Sequence, residues 1–317
     1  MSGEEERDGV RLTNLDQSLF EGADATKRDL VDYLDAVSGR LVPQLAGRPL
    51  SVKRVLRGQK PFMQKNTPKY TPPWVRTVTV WAQTSQREVS YALCDDRRTL
   101  LWFANQRAVE YHPPLVRADA WDAPTHLVID IDPPVSDDFG AAVAAAHLVR
   151  RAMDDSGLRG AVKTSGAKGV HVFAPLDGAT STEDVAAATR ALAVRAELLD
   201  PGLATTAFIR EDRGGKVFLD STRAGGATVV AAYSPRIRPG APVSFPVSWD
   251  DLDSVAPQDF TIRTAAALLA DRDPWADLMP EPQPVPADLV EQGRTIPVAR
   301  VQAMHEGKRR ARARRNG

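Results

Sequence analysis

The chain is poor in the features that would place it in several common classes. Cys94 is the one cysteine among 317 residues, which excludes an intrachain disulfide and a cysteine-rich zinc cluster and fits a reducing compartment. No run of 18 apolar residues occurs, and Met1-Ser-Gly-Glu-Glu-Glu-Arg7 is charged where a secretory leader needs an apolar segment. A cytoplasmic protein with no membrane role is therefore expected. Net charge is missing as well: Lys+Arg and Asp+Glu both total 41, so no overall field marks a polyanionic partner. Neither G-x-x-x-x-G-K-[ST] nor G-x-G-x-x-G is present, which removes the Walker and dinucleotide phosphate loops. There is no internal repeat.

What is present is a globular composition, 43% hydrophobic, enough to bury a sizeable core in one large domain or two intimate lobes. Charge is unevenly spread. Lys308-Arg-Arg-Ala-Arg-Ala-Arg-Arg-Asn-Gly317 carries six positive charges, a tail suited to non-specific phosphate contact or simply to solubility. The opening residues are charged and expected to be mobile to about residue 10.

Thr26-Lys-Arg-Asp29 carries the pattern of a capped helix start, and Leu30, Tyr33, Leu34, Val37 and Leu41 continue it as one apolar stripe to Gly47 and Pro49. Ser51–Leu56, Thr77–Trp81, Val89–Leu93 and Leu100–Ala104 read as short strands of a sheet-rich N-terminal lobe. Thr125-His-Leu-Val-Ile-Asp-Ile131 is the clearest strand, stopped by Asp132-Pro-Pro134. Helices are expected over about Asp138–Asp155, capped by Ser136, and Glu183–Leu199, starting at Ser181/Thr182. Ala161–Phe173 reads as two strands around a glycine loop, with Val217–Asp220 and Thr228–Tyr233 as further strands. Five prolines between Pro274 and Pro286 suggest a surface wrap rather than a regular helix, with one last helix near Ala287–Gln292.

The chemistry gathers in this middle region. Asp130 and Asp132 are two apart on a strand, so their side chains share a face, with Cα atoms roughly 7 Å apart. Two like charges this close repel and are costly to bury unpaired, which makes sense if cations such as Mg²⁺ or Mn²⁺ lie between them. A pair of turn aspartates closing a strand is the plainer alternative. Asp220 ends a second apolar strand, and Asp-x-Asp plus a distant strand-borne Asp is the ligand set of a two-metal phosphoryl-transfer site. In the loop Thr164-Ser-Gly-Ala-Lys-Gly-Val-His171, Gly166 and Gly169 would let the backbone approach an anion, while Ser165, Lys168 and His171 add donors or charge. A hairpin loop with a core histidine is the competing reading.

The ordered set His126-Leu-Val-Ile-Asp-Ile-Asp-Pro133, Thr164–His171, Gly215-Lys-Val-Phe-Leu-Asp220 and Ala232-Tyr-Ser-Pro-Arg236 resembles the polymerase domains of bacterial ligase D, in the archaeo-eukaryotic primase superfamily. Leu12-Thr-Asn14, Gly47-Arg-Pro49, Lys53-Arg54 and Trp249-Asp-Asp-Leu252 extend the resemblance over nearly residues 11–270. It implies an α/β (α+β) fold: an RRM-like primase-polymerase core at about 121–270, with mixed and antiparallel sheets flanked by helices, beside a module at about 11–120. A proline-rich wrap with a short helix at 271–300 and a basic tail at 301–317 follow. It also implies a template-directed nucleotidyl transferase that fills gaps or extends ends in break or excision repair, accepts ribonucleotides, and prefers Mn²⁺. Asp130 and Asp132 would bind both metals and Asp220 the catalytic one. Lys53, His112, Ser165, Lys168, His171 and Arg236 match positions that contact the incoming nucleoside triphosphate, and Arg213 matches a mobile arginine near the triphosphate or primer end.

On the DNA side, Asn14 and Lys27 match a pocket for a downstream 5′-phosphate, and the first turn of the capped helix offers amides and a positive dipole end. Gln17 stands where many such domains have lysine. Phe62, near Lys65, is placed to stack on a base, with Met63 where a second aromatic often stands; core packing and solvated charge are the alternatives for Phe62 and for Lys53-Arg54. The basic tail after a proline-rich stretch reads as a stand-alone enzyme like those accompanying mycobacterial ligase C, or else as an excised ligase D domain. A monomer associated with the nucleoid, with a ligase and Ku as partners, is expected. A non-catalytic DNA-end-binding module and a metal-dependent nuclease also fit the carboxylates.

Overall fold

A computed structural model describes residues 5–82, 86–135 and 138–298. By contacts it divides into two compact units that are not consecutive in sequence. Unit 1 takes the chain up to Trp121, then Lys163–Ala167 and Thr228–Leu278; unit 2 takes Asp122–Val162, Lys168–Ala227 and the chain from Met279 on. The sequence suggested a linear division near residue 120, whereas the chain returns twice to unit 1. The basic tail and Ser136 lie outside the described residues.

Unit 1 opens with an antiparallel hairpin, β1 (Glu5–Arg7) and β2 (Val10–Leu12), in a stretch expected to be mobile. Arg7 ties it down through ion pairs to Glu5, Asp32 and Asp35. The expected long helix is two, α1 (Lys27–Ala36) and α2 (Ser38–Leu45), parted at Val37, where the weak helix formers Ser38 and Gly39 follow. The capping box of Thr26 and Asp29 is present, a feature contributing about 1 kcal/mol. β3 (Ser51–Arg54), β4 (Phe62–Gln64) and β7 (Ala108–His112) form one sheet with β3 central, and β5 (Thr77–Ala82) and β6 (Arg87–Ala92) pair separately. Leu100–Ala104 is helical, inside α3 (Arg97–Asn105), not a strand. Asp96 caps it by accepting from Thr99, and all five of those residues are buried, so no one-sided stripe marks the helix in sequence.

Unit 2 is built on β8 (His126–Asp132), which pairs antiparallel with β10 (Val170–Pro175) on one side and β12 (Val217–Asp220) on the other. The two-residue β11 (Ala204–Thr205) extends β12 in parallel, which makes the sheet mixed. β9 (Ala161–Thr164) runs from unit 2 into unit 1. Helices α4 (Phe139–Asp155) and α5 (Thr182–Leu199) pack on one another and on the strands. Asp138 provides the described cap of α4, and Ser181 caps α5 as its sequence suggests.

Thr228–Tyr233 is not a strand. Only Thr228 makes a bridge, to Pro114, while Val229 and Ala231 donate to Pro113 and Tyr111. The two-residue β13 (Pro246–Val247), α6 (Ala265–Leu269) and α7 (Pro274–Leu278) complete unit 1. Pro274 begins α7, the position where its missing N–H costs nothing, so the proline-rich stretch does hold one helical turn. α8 (Ala287–Thr295) then crosses α5 so closely that a Cβ on Gly293 would lie 1.9 Å from the Ala187 carbonyl oxygen. Among the described residues no helix is long and apolar enough to cross a membrane.

Candidate active site

Alternation along β8 sends Val128, Asp130 and Asp132 to one face and Leu127, Ile129 and Ile131 to the other. β12 places Asp220 opposite Asp130, and β10 places His171 opposite Asp130 from the other side. Directly opposed residues have Cβ atoms about 4.5–5.5 Å apart, so the ladder brings the distant Asp220 to the Asp130 and Asp132 face.

Each oxygen of this cluster has a distinct environment. Asp130 Oδ1 lies 3.1 Å from His171 Nε2, and its Oδ2 accepts from Arg223 Nη2 and Nε at 2.7 and 3.1 Å. The same Arg223 Nη2 lies 3.2 Å from Asp220 Oδ2. Asp220 Oδ1 accepts from the Thr222 amide at 2.8 Å and its hydroxyl at 2.6 Å. Burial opposes charge on Asp130, but His171 and then Arg223 outweigh it and hold that carboxyl well below the usual range. Asp132 goes the other way: burial and the negative charges of Asp130 and Asp220 raise it, against a pull from Lys168.

One carboxylate is thus satisfied while its neighbour two residues on is not, the electrostatics of a cluster short of positive charge. Among the described residues no three His, Cys, Asp or Glu groups close into a ready metal cage, because the side chains are gathered around the Arg223 guanidinium. The donors still fit a divalent ion. They are carboxylate oxygens, the preference of Mg²⁺ and Mn²⁺, and two of them already share one cation.

The glycine loop is shaped by packing more than by openness to an anion. Gly166 has φ +66°, and a Cβ there would lie 2.7 Å from Arg236 Cγ and 2.8 Å from the Ser244 amide. A Cβ on Gly169 would lie 2.1 Å from the Ile131 carbonyl oxygen. Lys168 Nζ donates to the Pro133 carbonyl at 2.5 Å, holding the loop to the end of β8. His171 is 4% exposed and turned to Asp130, so its first partner is a carboxylate.

Unit 1 gathers a second set, this one mostly cationic. Lys53 and Glu110 are register partners across β3 and β7, and His112 follows Glu110 by two, on the same face. Glu110 Oε2 lies 2.8 Å from His112 Nε2 and 3.4 Å from Arg236 Nε; its Oε1 lies 4.0 Å from Lys53 Nζ and accepts from the Ile237 amide at 2.9 Å. Burial works against Glu110, yet His112, Arg236 and the Ile237 amide bring its pKa down to about 2. Burial lowers His112, with Glu110 pulling it back up. Arg236 also donates to the Ser165 carbonyl, which joins Ser165 to this group. Four expected nucleotide contacts of unit 1, Lys53, His112, Ser165 and Arg236, are therefore linked.

Two members of these clusters escape the sequence reading. Glu110 was missed because β7 itself was not read as a strand; its signal is the Glu-x-His alternation. Arg223 was missed for want of a pattern, although Asp-x-x-Arg after a strand is the spacing of a turn that folds back on its own acid.

The DNA-side expectations fare differently. The first-turn amides of α1 are occupied: Lys27 and Arg28 donate to the Gln17 and Leu15 carbonyls at 2.8 Å, and Asp29 to Thr26 Oγ1. Lys27 is 2% exposed and donates to the Thr13 carbonyl and Asn105 Oδ1, so it is built into the fold rather than held out to a phosphate. Burial, then Arg107, lowers its pKa to about 8. Asn14 is exposed at φ +55°, a conformation asparagine tolerates, and Gln17 and Lys65 are exposed too. Phe62 is half-buried with the Arg54 guanidinium 5.9 Å from its ring centre, while Met63 is exposed. Arg213 lies over the Phe218 ring at 3.7 Å and donates to the Ala207 and Phe208 carbonyls, which anchors it in this structure.

Comparison with known proteins agrees with this architecture. Residues 26–275 match the family described as LigD, primase-polymerase domain. The Bifunctional non-homologous end joining protein LigD of Bacillus subtilis is 33% identical over 287 residues, 89% of this chain and 46% of the relative. The Multifunctional non-homologous end joining DNA repair protein LigD of Mycobacterium tuberculosis is 34% identical over 258 residues, 78% of this chain and 34% of the relative. The chain thus spans less than half the length of these relatives. The solved polymerase domain from Mycobacterium tuberculosis Ligase D in complex with DNA superposes with a TM-score of 0.77 at 31% identity, covering 83% of this chain and 95% of that one. With its sequence matched over most of its length and its fold matched to a solved domain, the chain belongs to the LigD primase-polymerase domain family of DNA-directed nucleotidyltransferases.

Proposed function

We propose that the protein adds nucleotides to DNA ends and short gaps against a template during double-strand-break or excision repair, with Asp130, Asp132 and Asp220 as metal ligands. The observation that carries this reading is the face shared by three acids on β8 and β12, with Asp130 and Asp220 already bridged by one cation. Asp130 and Asp132 would hold both ions and Asp220 one of them, with Mn²⁺ preferred over Mg²⁺. Bound divalent ions would make a primer 3′-hydroxyl more nucleophilic and neutralise charge on the triphosphate.

The protein's own groups have separate tasks. His171 fixes Asp130 from behind, so that Oδ2 is the oxygen turned to a cation. Thr222 does the same for Asp220. Lys53 and Arg236 have one carboxylate between them, and such a cationic excess, with the His112 ring as a further hydrogen-bonding group, suits a triphosphate. Lys168 and Ser165 sit on one loop and supply further donors. Asn14, Phe62 and Lys65 are the residues proposed to meet DNA, with Arg213 joining them once it leaves the Ala207 and Phe208 carbonyls, while buried Lys27 supports the Thr13–Asn14 backbone from behind. The relatives are named for non-homologous end joining, which makes an end-binding Ku protein and a ligase the natural partners of the same reaction.

The test is a one-nucleotide gapped primer-template with Mn²⁺, comparing ribonucleotides with deoxyribonucleotides, with and without a downstream 5′-phosphate. Extension with pyrophosphate release, lost in Asp130→Ala plus Asp132→Ala while DNA is still bound, supports the reading. Wild-type protein that binds the template but stays inert would instead identify a binding module, and primer shortening would identify a nuclease.

A further inference from the structure

Arg223 has no assigned role, yet it is the side chain around which the carboxylates are arranged. It lies in the 3-10 turn Thr222–Gly225 that leaves the end of β12. Its Nη2 sits 2.7 Å from Asp130 Oδ2 and 3.2 Å from Asp220 Oδ2, and its Nε 3.1 Å from Asp130 Oδ2. Both carboxylates are buried, with side chains 12% and 9% exposed, whereas the arginine side chain is 29% exposed.

The two acids are prepared in the same way. Each has one oxygen tied to neighbouring structure, Asp130 Oδ1 to His171 and Asp220 Oδ1 to Thr222, and each turns the other oxygen to the guanidinium. A divalent cation held by Asp130 and Asp220 would compete with Arg223 Nη2 for these same two oxygens. Two buried carboxylates facing one point without a cation would repel strongly, so the arginine also keeps them aimed there. The stem of Arg223 is long and its side chain is already 29% exposed, which leaves it a path outward.

We propose that Arg223 is a positioning residue, a built-in counter-ion that holds Asp130 and Asp220 directed at one point and that a divalent cation displaces on binding. The inference rests on the metal-site reading above and adds a competition to it. Ion entry breaks the Arg223 contacts to both acids and releases the guanidinium to solvent or to a phosphate oxygen, so the affinity of the first ion is set partly by the strength of those contacts. No bond is made or broken covalently.

Mn²⁺ titration of the full chain, followed by loss of the free-ion electron paramagnetic resonance signal, tests this without reference to activity. Arg223→Gln is expected to bind the first Mn²⁺ about tenfold more tightly than wild type, a factor equivalent to about 1.4 kcal/mol and of the size contributed by a hydrogen bond to a charged group. Arg223→Lys, a point charge without the planar fork, is expected to fall between them. Without divalent ions Arg223→Gln is expected to melt below wild type, and Mn²⁺ to raise its melting temperature more. If Arg223→Gln does not fold, the Arg223→Lys titration decides. Affinity in the folded variants equal to or weaker than wild type overturns the counter-ion role alone. No binding in any form above the Asp130→Ala plus Asp132→Ala control overturns the metal reading, and the inference with it.

Discussion

Two strands of this protein carry the same device with opposite charge. On β8 an acidic pair two residues apart faces a third acid across the ladder, and the Arg223 guanidinium partly balances them. On β7 the pair is Glu110 and His112, the residue across the ladder is Lys53, and the lone member of the minority charge is the carboxylate. In both, one buried group is locked far from its ordinary pKa by its opposites: Asp130 downward by His171 and Arg223, Glu110 downward by His112 and Arg236. In the first cluster His171 and Arg223 serve Asp130 and Asp220 but leave Asp132 raised, and in the second the one carboxylate of Glu110 faces both Lys53 and Arg236. The remaining deficit is of cations in the first and of anions in the second, which is what a divalent ion and a polyphosphate supply.

The sharpest way to break this comparison is to remove one acid from the first cluster. Asp220→Asn is expected to lower nucleotide addition about a thousandfold, the loss of several kcal/mol of metal-based stabilisation at 1.36 kcal/mol per decade, with DNA affinity by fluorescence anisotropy unchanged. Activity within tenfold of wild type would remove Asp220 from the site.

The second cluster is probed by acid. Glu110 has a pKa of about 2 in the folded chain against 4.5 ordinarily, so between those values the unfolded chain holds more protons. Its contribution to stability is full above pH 4.5 and is lost as pH falls through about 2. Glu110→Gln should therefore flatten the fall of the urea midpoint between pH 5 and 3, an effect of at most about 2 kcal/mol over that window. Parallel wild-type and variant curves would show that Glu110 is not held in its charged form.

Arg236→Ala takes a cation from the same group and frees the Ser165 carbonyl, and is expected to raise KM for the nucleoside triphosphate about ten- to thirtyfold with a smaller change in kcat. An unchanged KM would detach this cluster from the nucleotide. The smallest effect is expected at exposed Lys65, where alanine should reduce the slope of log affinity for DNA against log salt by about one. No change in slope would exclude a phosphate contact there.

How far the sequence could be read depended on whether a feature was local. β8 was legible because an unbroken apolar run ended in Asp-x-Asp and two prolines, and the caps of α1 and α5 because a cap is written within four residues. α3 was misread because Leu100–Ala104 is buried on every side, so its apolar run has no helical period to detect. The occupancy of the α1 amides was out of reach altogether: Leu15 and Gln17, which accept from them, belong to an irregular segment with no pattern to place it. The meeting of Asp220 with Asp130 followed from two strands ending in acids, but the Arg223 guanidinium among them depends on how a four-residue turn closes.

The five residues Lys163–Ala167 leave unit 2 in the middle of β9 and belong to unit 1 before the chain goes back. No single cut in the sequence can therefore yield either unit intact: a fragment ending at Trp121 forfeits the segments carrying Ser165 and Arg236, and one beginning at Asp122 still carries both away from Lys53 and Glu110. For anyone exchanging parts among such proteins, a crossover point between residues 121 and 278 divides one unit or the other.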